Sequence, residues 1–198
     1  MNDKWVIIGC GGHARSIADV IVYNDEKADI VFLDEKAQKE ETIFGFPVVH
    51  DFDVSNERVI VGIGDNLKRI EMSLKYYNNL CNVVSKNAYV SKFARLGRGI
   101  FIAHQAHVGV LTSVDDFVVI NTAASVDHDC QLKIGSFVGP HATLCGKVMI
   151  GKRSFVGGAA VVRDGISVES EITVGAGAVV IKNLIEKGKY VGIPAHKI

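Results

Sequence analysis

The sequence predicts two architectures in series: a small α/β domain with a parallel sheet over residues 1–85, then a parallel β-coil of triangular section over residues 86–198. Two observations carry this. From Val90 to Val180 an aliphatic residue recurs at every sixth position without one insertion. Before that stretch, short β-branched runs alternate with helical spacings and Gly-rich turns, the pattern of a parallel sheet with crossover helices.

The walk from Val90 runs through Leu96, Ile102, Val108, Val114, Ile120, Val126, Leu132, Val138, Leu144, Ile150, Val156, Val162, Val168, Val174 and Val180. A period of six fits neither the 3.6 of an amphipathic helix nor the 2.0 of an extended strand. It fits a short strand, a corner and another short strand, with one aliphatic per side pointing inward. Three sides close a coil of eighteen residues, and coils stack about 4.8 Å apart through parallel strand hydrogen bonds. Residues 88–181 then make about five coils. The position four beyond each aliphatic is mostly small or β-branched, as at Ala94, Ala106, Ala124, Cys130, Ser136 and Ala142, which suits a cramped interior. Glycines directly after the aliphatic, at Gly97, Gly109, Gly139, Gly151, Gly157 and Gly175, are expected to serve tight turns.

In the first 85 residues, Trp5–Ile8, Ile30–Leu33, Val59–Val61 and Cys81–Val84 read as strands. A helix after Gly9–His13 places Ile17, Val20 and Ile21 on one face. A second, over about Leu67–Tyr77, is expected to turn Leu67, Ile70 and Leu74 inward. Sheets of this kind bind ligands beyond the carboxyl ends of their strands. Gly9–His13, Asp34-Glu35 and Gly62–Asn66 converge there. Glycines admit phosphates to backbone N–H groups, and a following helix N-terminus favours negative charge. Asp34, twenty-two residues past Gly12, is placed to reach a ribose or a base edge. The dinucleotide pattern is incomplete, since its third glycine falls at Ala14, so the domain is Rossmann-like and the bland alternative is a plain strand–helix turn.

Composition narrows the class. Acidic and basic residues balance at 22 each, which gives no reason to expect nucleic acid or an anionic membrane surface. No apolar run reaches the roughly 20 residues of a membrane span, and Met1–Trp5 lacks the pattern of a signal peptide. Cys10, Cys81, Cys130 and Cys145 show no paired spacing and read as buried free thiols of a cytoplasmic protein.

The Gly9-Cys10-Gly11-Gly12-His13 turn, Asp34, Gly64-Asp65-Asn66 with Arg69 after it, the hexad repeat and the ending Tyr190-Val191-Gly192-Ile193-Pro194-Ala195 belong together. Over the whole chain they resemble the bacterial nucleotide-aminosugar N-acetyltransferases of the hexapeptide-repeat acyltransferase family, relatives of the sialic acid O-acetyltransferases. The resemblance implies a left-handed coil, acetyl-CoA as co-substrate, a nucleotide-linked amino sugar in the front domain and a homotrimer with active sites between subunits. The family's Asn-Thr…His-Glu stretch stands here as Asn121-Thr122-Ala123-Ala124-Ser125-Val126-Asp127-His128-Asp129. His128 thereby takes the role of catalytic base, Asp129 replaces the glutamate, and Asn121 falls near the sugar. Gly11, Gly12, His13, Asp34, Glu35 and Gly64 would line the nucleotide-sugar site, and Gly146, Gly158 and Ala176 would border acetyl-CoA. Phe137 stands where some members carry a histidine near pantetheine. The implied reaction is N-acetylation of a UDP- or dTDP-linked 4-amino-4,6-dideoxy sugar, with O-acetylation of a sialic acid as the alternative.

Other classes fit less well. His104, His107 and His141 occupy the coil, but none are separated by the eighteen residues that stack side chains, so no metal is expected. A dinucleotide-linked enzyme would need a second catalytic domain where the hexad coil stands. A bare scaffold would have no use for His128 between two acids.

Overall fold

The computed structural model describes residues 4–198; Met1–Asp3, part of the stretch on which the signal-peptide reading rests, lie outside the described residues. The front domain contains β1 (Trp5–Ile8), α1 (Gly12–Asn24), β2 (Ile30–Leu33), β3 (Thr42–Ile43), β4 (Phe46–Val49), β5 (Arg58–Val61) and α2 (Asn66–Lys75). Strands β4, β2, β1 and β5 lie side by side in that order and run parallel, with β3 antiparallel on the outside. The register pairs Ile8 with both Leu33 and Val61, so the loops after these strands leave one edge together. The β3–β4 hairpin is an addition to the sequence reading. Its turn, Phe44-Gly45, takes positive φ at both residues (54° and 83°), the backbone that suits a tight hairpin.

Helix α1 buries Ala14, Ile17, Ala18, Val20 and Ile21, the stripe its spacing called for. It packs so close to the end of β5 that a Cβ on Gly62 would lie 2.6 Å from the Ala14 Cβ. Helix α2 departs from expectation. Leu67 and Leu74 are 48% and 61% exposed, and the buried face is Arg69, Ile70 and Ser73. The surface that this face meets is lined with backbone carbonyl oxygens, which a guanidinium satisfies and a leucine does not.

The second half is the expected solenoid. Strands pair in parallel at intervals of eighteen residues, as in His107↔Ser125 and Ser125↔Thr143, over three faces. The hexad aliphatics point inward: Val108, Ile120, Val126, Leu132, Leu144 and Val162 are completely buried. The small inner residues also do polar duty. Thr112 Oγ1 donates to Asp127 O at 2.7 Å and accepts from the Cys130 N–H at 3.3 Å, and Ser154 bridges Glu169 O and the Ile172 N–H in the same way.

The turn assignment for the glycines needs correction. Positive φ falls on another position of the hexad, at Gln105, Leu111, Phe117, Ala123, Asp129 and onward in steps of six, with Gly99, Gly135, Gly165 and Gly177 among them. A glycine directly after the aliphatic serves close approach instead: a Cβ on Gly151 would sit 2.4 Å from the Ser170 backbone nitrogen of the next coil. The strand expected over Cys81–Val84 is Val83–Val84, and it pairs with Phe101–Ile102 of the coil. That coil face, through Phe101, Val119 and Phe137, shares one apolar cluster with α1 and β2. At the far end Gly188–Val191 pairs with Ile172–Val174, and buried Tyr190 closes the stack. Among the described residues no helix is long and apolar enough to cross a membrane.

Candidate active site

The coil corner at Asp127-His128-Asp129 is built for one imidazole. The carboxylate of Asp127 accepts the His128 backbone N–H at 2.7 Å. Asp129 adopts φ +57°, a conformation aspartate tolerates better than most residues, and its Oδ2 lies 2.8 Å from His128 Nδ1. A carboxylate only accepts, so Nδ1 carries a proton, and in the neutral ring the lone pair sits on Nε2. Thr112 holds the same corner from within the coil. One coil further on lies Gly146, where a Cβ would fall 2.5 Å from His128 Nε2. The Nε2 end of the ring therefore occupies space that only glycine leaves at position 146. The Gly146 N–H has no hydrogen-bond acceptor among the described residues.

A second concavity opens at the carboxyl edge of the front sheet. It encloses about 500 Å³ and is lined by Gly9, Asp34, Glu35 and Ile63 from the loops, His50 and Phe52 beyond β4, and Lys68, Glu71 and Met72 from α2. Asp34 is committed to structure, since Oδ2 accepts from the Cys10 N–H at 3.1 Å and Oδ1 from the Lys36 N–H at 2.9 Å. Burial alone would raise its carboxyl; these hydrogen bonds outweigh it and hold the group below the usual carboxylate range. Burial and the neighbouring Asp34 push the Cys10 thiol up to about 11, so it stays protonated.

The remaining expected site residues do not gather in this concavity. Gly11 and Gly12 sit exposed at the start of α1 with open space where a Cβ would go. Gly64 lines a separate hollow with Asn66, Leu67, Arg153 and Phe155. His13 turns inward, edge-on to Phe101 at 5.4 Å and tilted on Phe137 at 6.0 Å, with Nε2 buried and unpartnered. Burial, helped by the Arg69 charge, lowers its pKa to about 4. Asn121 and His128 flank the strand Ser125–Val126 on different corners of the triangle. Thr122, Pro140, Gly158 and Ala176 stack along the Asn121 corner, whereas Gly146 stacks with His128. One chain thus does not bring the two groups together. His104 is a junction residue, with Nε2 3.1 Å from Asp19 and Nδ1 2.8 Å from Ser85 Oγ. Among the described residues no three His, Cys, Asp or Glu side chains converge as metal ligands.

Residue reasoning missed Arg69 and Asn66 as the bolts between the domains. Neither lies on the stripe of Leu67, Ile70 and Leu74 that apolar spacing pointed inward, so no periodic signal marked them.

Residues 4–76 match the PglD N-terminal domain family. PerB from Caulobacter crescentus, solved in complex with CoA and GDP-perosamine, is 31% identical, with 100% of this chain and 98% of that one superposed at a TM-score of 0.92. The chain belongs to the hexapeptide-repeat acyltransferase family. Within that family the acetyltransferase domain of PglB from Neisseria gonorrhoeae FA1090 is 30% identical over the full length of both chains, with a TM-score of 0.93, and it has also been solved with acetyl coenzyme A. Curated family members match over part of their length only. UDP-3-O-acylglucosamine N-acyltransferase of Bordetella avium is 24% identical over 112 residues, 52% of this chain and 31% of its own.

Proposed function

We propose that this protein transfers the acetyl group of acetyl-CoA to the amine of a nucleotide-linked 4-amino-4,6-dideoxy sugar, with His128 as general base. The observation that carries the reading is the His128 corner: Nδ1 is fixed by Asp129 at 2.8 Å, and Nε2 is left free over Gly146. An attacking amine must shed a proton, and an imidazole has the right affinity near neutral pH to take it. Asp129 orients the ring and favours its protonated form as the proton arrives. The uncommitted Gly146 N–H is suited to stabilise the oxyanion of the collapsing thioester. The thioester is already activated, so no covalent enzyme intermediate is needed.

In this reading the concavity at Asp34, Glu35 and Ile63 takes the nucleotide, and the exposed N–H groups at Gly11 and Gly12 take its phosphates. His13 and Gly64 frame the approach to the sugar, and Asn121 contacts it. Gly146, Gly158 and Ala176 border acetyl-CoA. The full-length likeness to an enzyme solved with GDP-perosamine supports an amino-sugar nucleotide and sets GDP beside UDP and dTDP as the nucleotide. The same likeness supports a left-handed coil, a Rossmann-like front domain over about residues 1–85 and a catalytic domain over 86–198. The separation of Asn121 from His128 within one chain supports a homotrimer in which the His128 corner of one subunit meets the Asn121 corner of the next. Sialic acid O-acetylation uses the same corner and is the alternative acceptor chemistry. Following CoA release with UDP-, dTDP- and GDP-linked amino sugars and with sialic acid decides between them: release with sialic acid alone abandons the N-acetyl reading.

A further inference from the structure

Helix α2 works on two sides. Its inner side lies along the coil corner formed by Phe117, Gly135 and Arg153, stacked at intervals of eighteen residues with φ of 63°, 63° and 61°. The backbone N–H of each is bonded within the coil, to Arg98 O, Asp116 O and Ile134 O. Their carbonyls face outward, and α2 takes all three. Arg69 Nε donates to Phe117 O at 3.0 Å and Arg69 Nη2 to Gly135 O at 2.9 Å, while Asn66 Nδ2 donates to Arg153 O at 3.0 Å. The same guanidinium reaches the loop before the helix: Nη1 donates to Ile63 O at 3.3 Å and Gly64 O at 3.1 Å, and Nη2 to Asn66 Oδ1 at 2.8 Å. Ile70 closes over Gly135, where a Cβ would fall 2.4 Å from Ile70 Cδ1. Arg69 is only 1% exposed and forms no ion pair among the described residues. The outer side of α2 supplies Lys68, Glu71 and Met72 to the wall of the front cavity, and the loop supplies Ile63.

We propose that Arg69 is a positioning residue for nucleotide binding: by bolting the Ile63–Asn66 loop and α2 to the coil corner, it sets the cavity wall that a nucleoside diphosphate must fit. This rests on the reading of that cavity as the nucleotide site. A planar fork of five donors spans four carbonyls and an amide oxygen, whereas the ammonium of lysine offers three donors from one point.

Calorimetric titration of UDP, dTDP and GDP, and separately of CoA, into wild-type, Arg69→Lys and Asn66→Ala proteins tests this, with each melting temperature recorded. One nucleoside diphosphate binds the wild type; Arg69→Lys weakens it by about tenfold or more and leaves CoA within about twofold, as a displaced wall demands. Asn66→Ala weakens it less. Unchanged nucleotide affinity in a folded Arg69→Lys protein overturns the proposal and leaves the cavity assignment standing. Equal loss of nucleotide and CoA affinity does the same, because it marks a purely structural role. No nucleotide binding by the wild type overturns the cavity assignment and the proposal with it. Should Arg69→Lys fail to fold, Asn66→Ala decides on the same criteria.

Discussion

At the residue scale, His128 and Gly146 are one device. On the proposed mechanism, replacing His128 with alanine removes the base, and turnover should fall by roughly 10²- to 10⁴-fold in a CoA-release assay. Gly146→Ala is the sharper test. Its φ is not positive, so alanine suits the backbone, but the new Cβ would occupy space 2.5 Å from Nε2 and drive the ring aside. The variant should keep its melting temperature and lose activity on a scale comparable with His128→Ala; wild-type turnover would separate the two residues. His13 gives a pH prediction. Its folded pKa, near 4, lies below the ordinary 6.5, so the unfolded chain binds the extra proton between those values. Stability is therefore full above pH 6.5 and declines as pH falls toward 4, by up to about 3 kcal/mol. In His13→Gln the slope of melting temperature over that window should flatten. The clamp on the His128 ring was legible because the acids that hold it are its immediate neighbours in sequence. The inward turn of His13 was not, because Phe101 and Phe137 reach it from another domain.

At the scale of elements, two kinds of glycine serve the coil for different reasons, and alanine separates them. Gly165 has φ +67° with nothing near its missing Cβ, so Gly165→Ala should cost only the left-handed conformation, about 1 kcal/mol. Gly151 meets the backbone of the next coil at 2.4 Å, and Gly151→Ala should cost about 3 kcal/mol or more through overpacking. Urea unfolding of the two variants measures the difference; equal losses would contradict the distinction. The hexad itself could be read from sequence because each coil repeats one inward aliphatic at a fixed step. The corners could not be assigned to their position in the hexad, since Leu111, Phe117 and Asp129 hold positive φ without being glycine. Helix α2 failed for a related reason: apolar spacing pointed Leu67 and Leu74 inward, but its partner surface is a row of carbonyls that selects Arg69.

For the whole molecule, the proposed site is divided between a front cavity, a His128 corner and an Asn121 corner that one chain keeps apart. A shared site predicts complementation. If the proposed trimer shares its sites between subunits, co-expressed His128→Ala and Asn121→Ala subunits, each inactive alone, should recover part of the wild-type turnover, whereas a site within one chain would leave the mixture inactive. The two-part plan was visible in the sequence from the break in periodicity near Val90, but the joint was not, because it is made by backbone carbonyls that carry no residue signature. The most direct test of the account is CoA release from acetyl-CoA across UDP-, dTDP- and GDP-linked 4-amino-4,6-dideoxy sugars, with sialic acid included and His128→Ala run in parallel. The account predicts turnover with at least one nucleotide-linked amino sugar and its loss in His128→Ala. Turnover that survives the loss of His128, or that appears only with sialic acid, would contradict it.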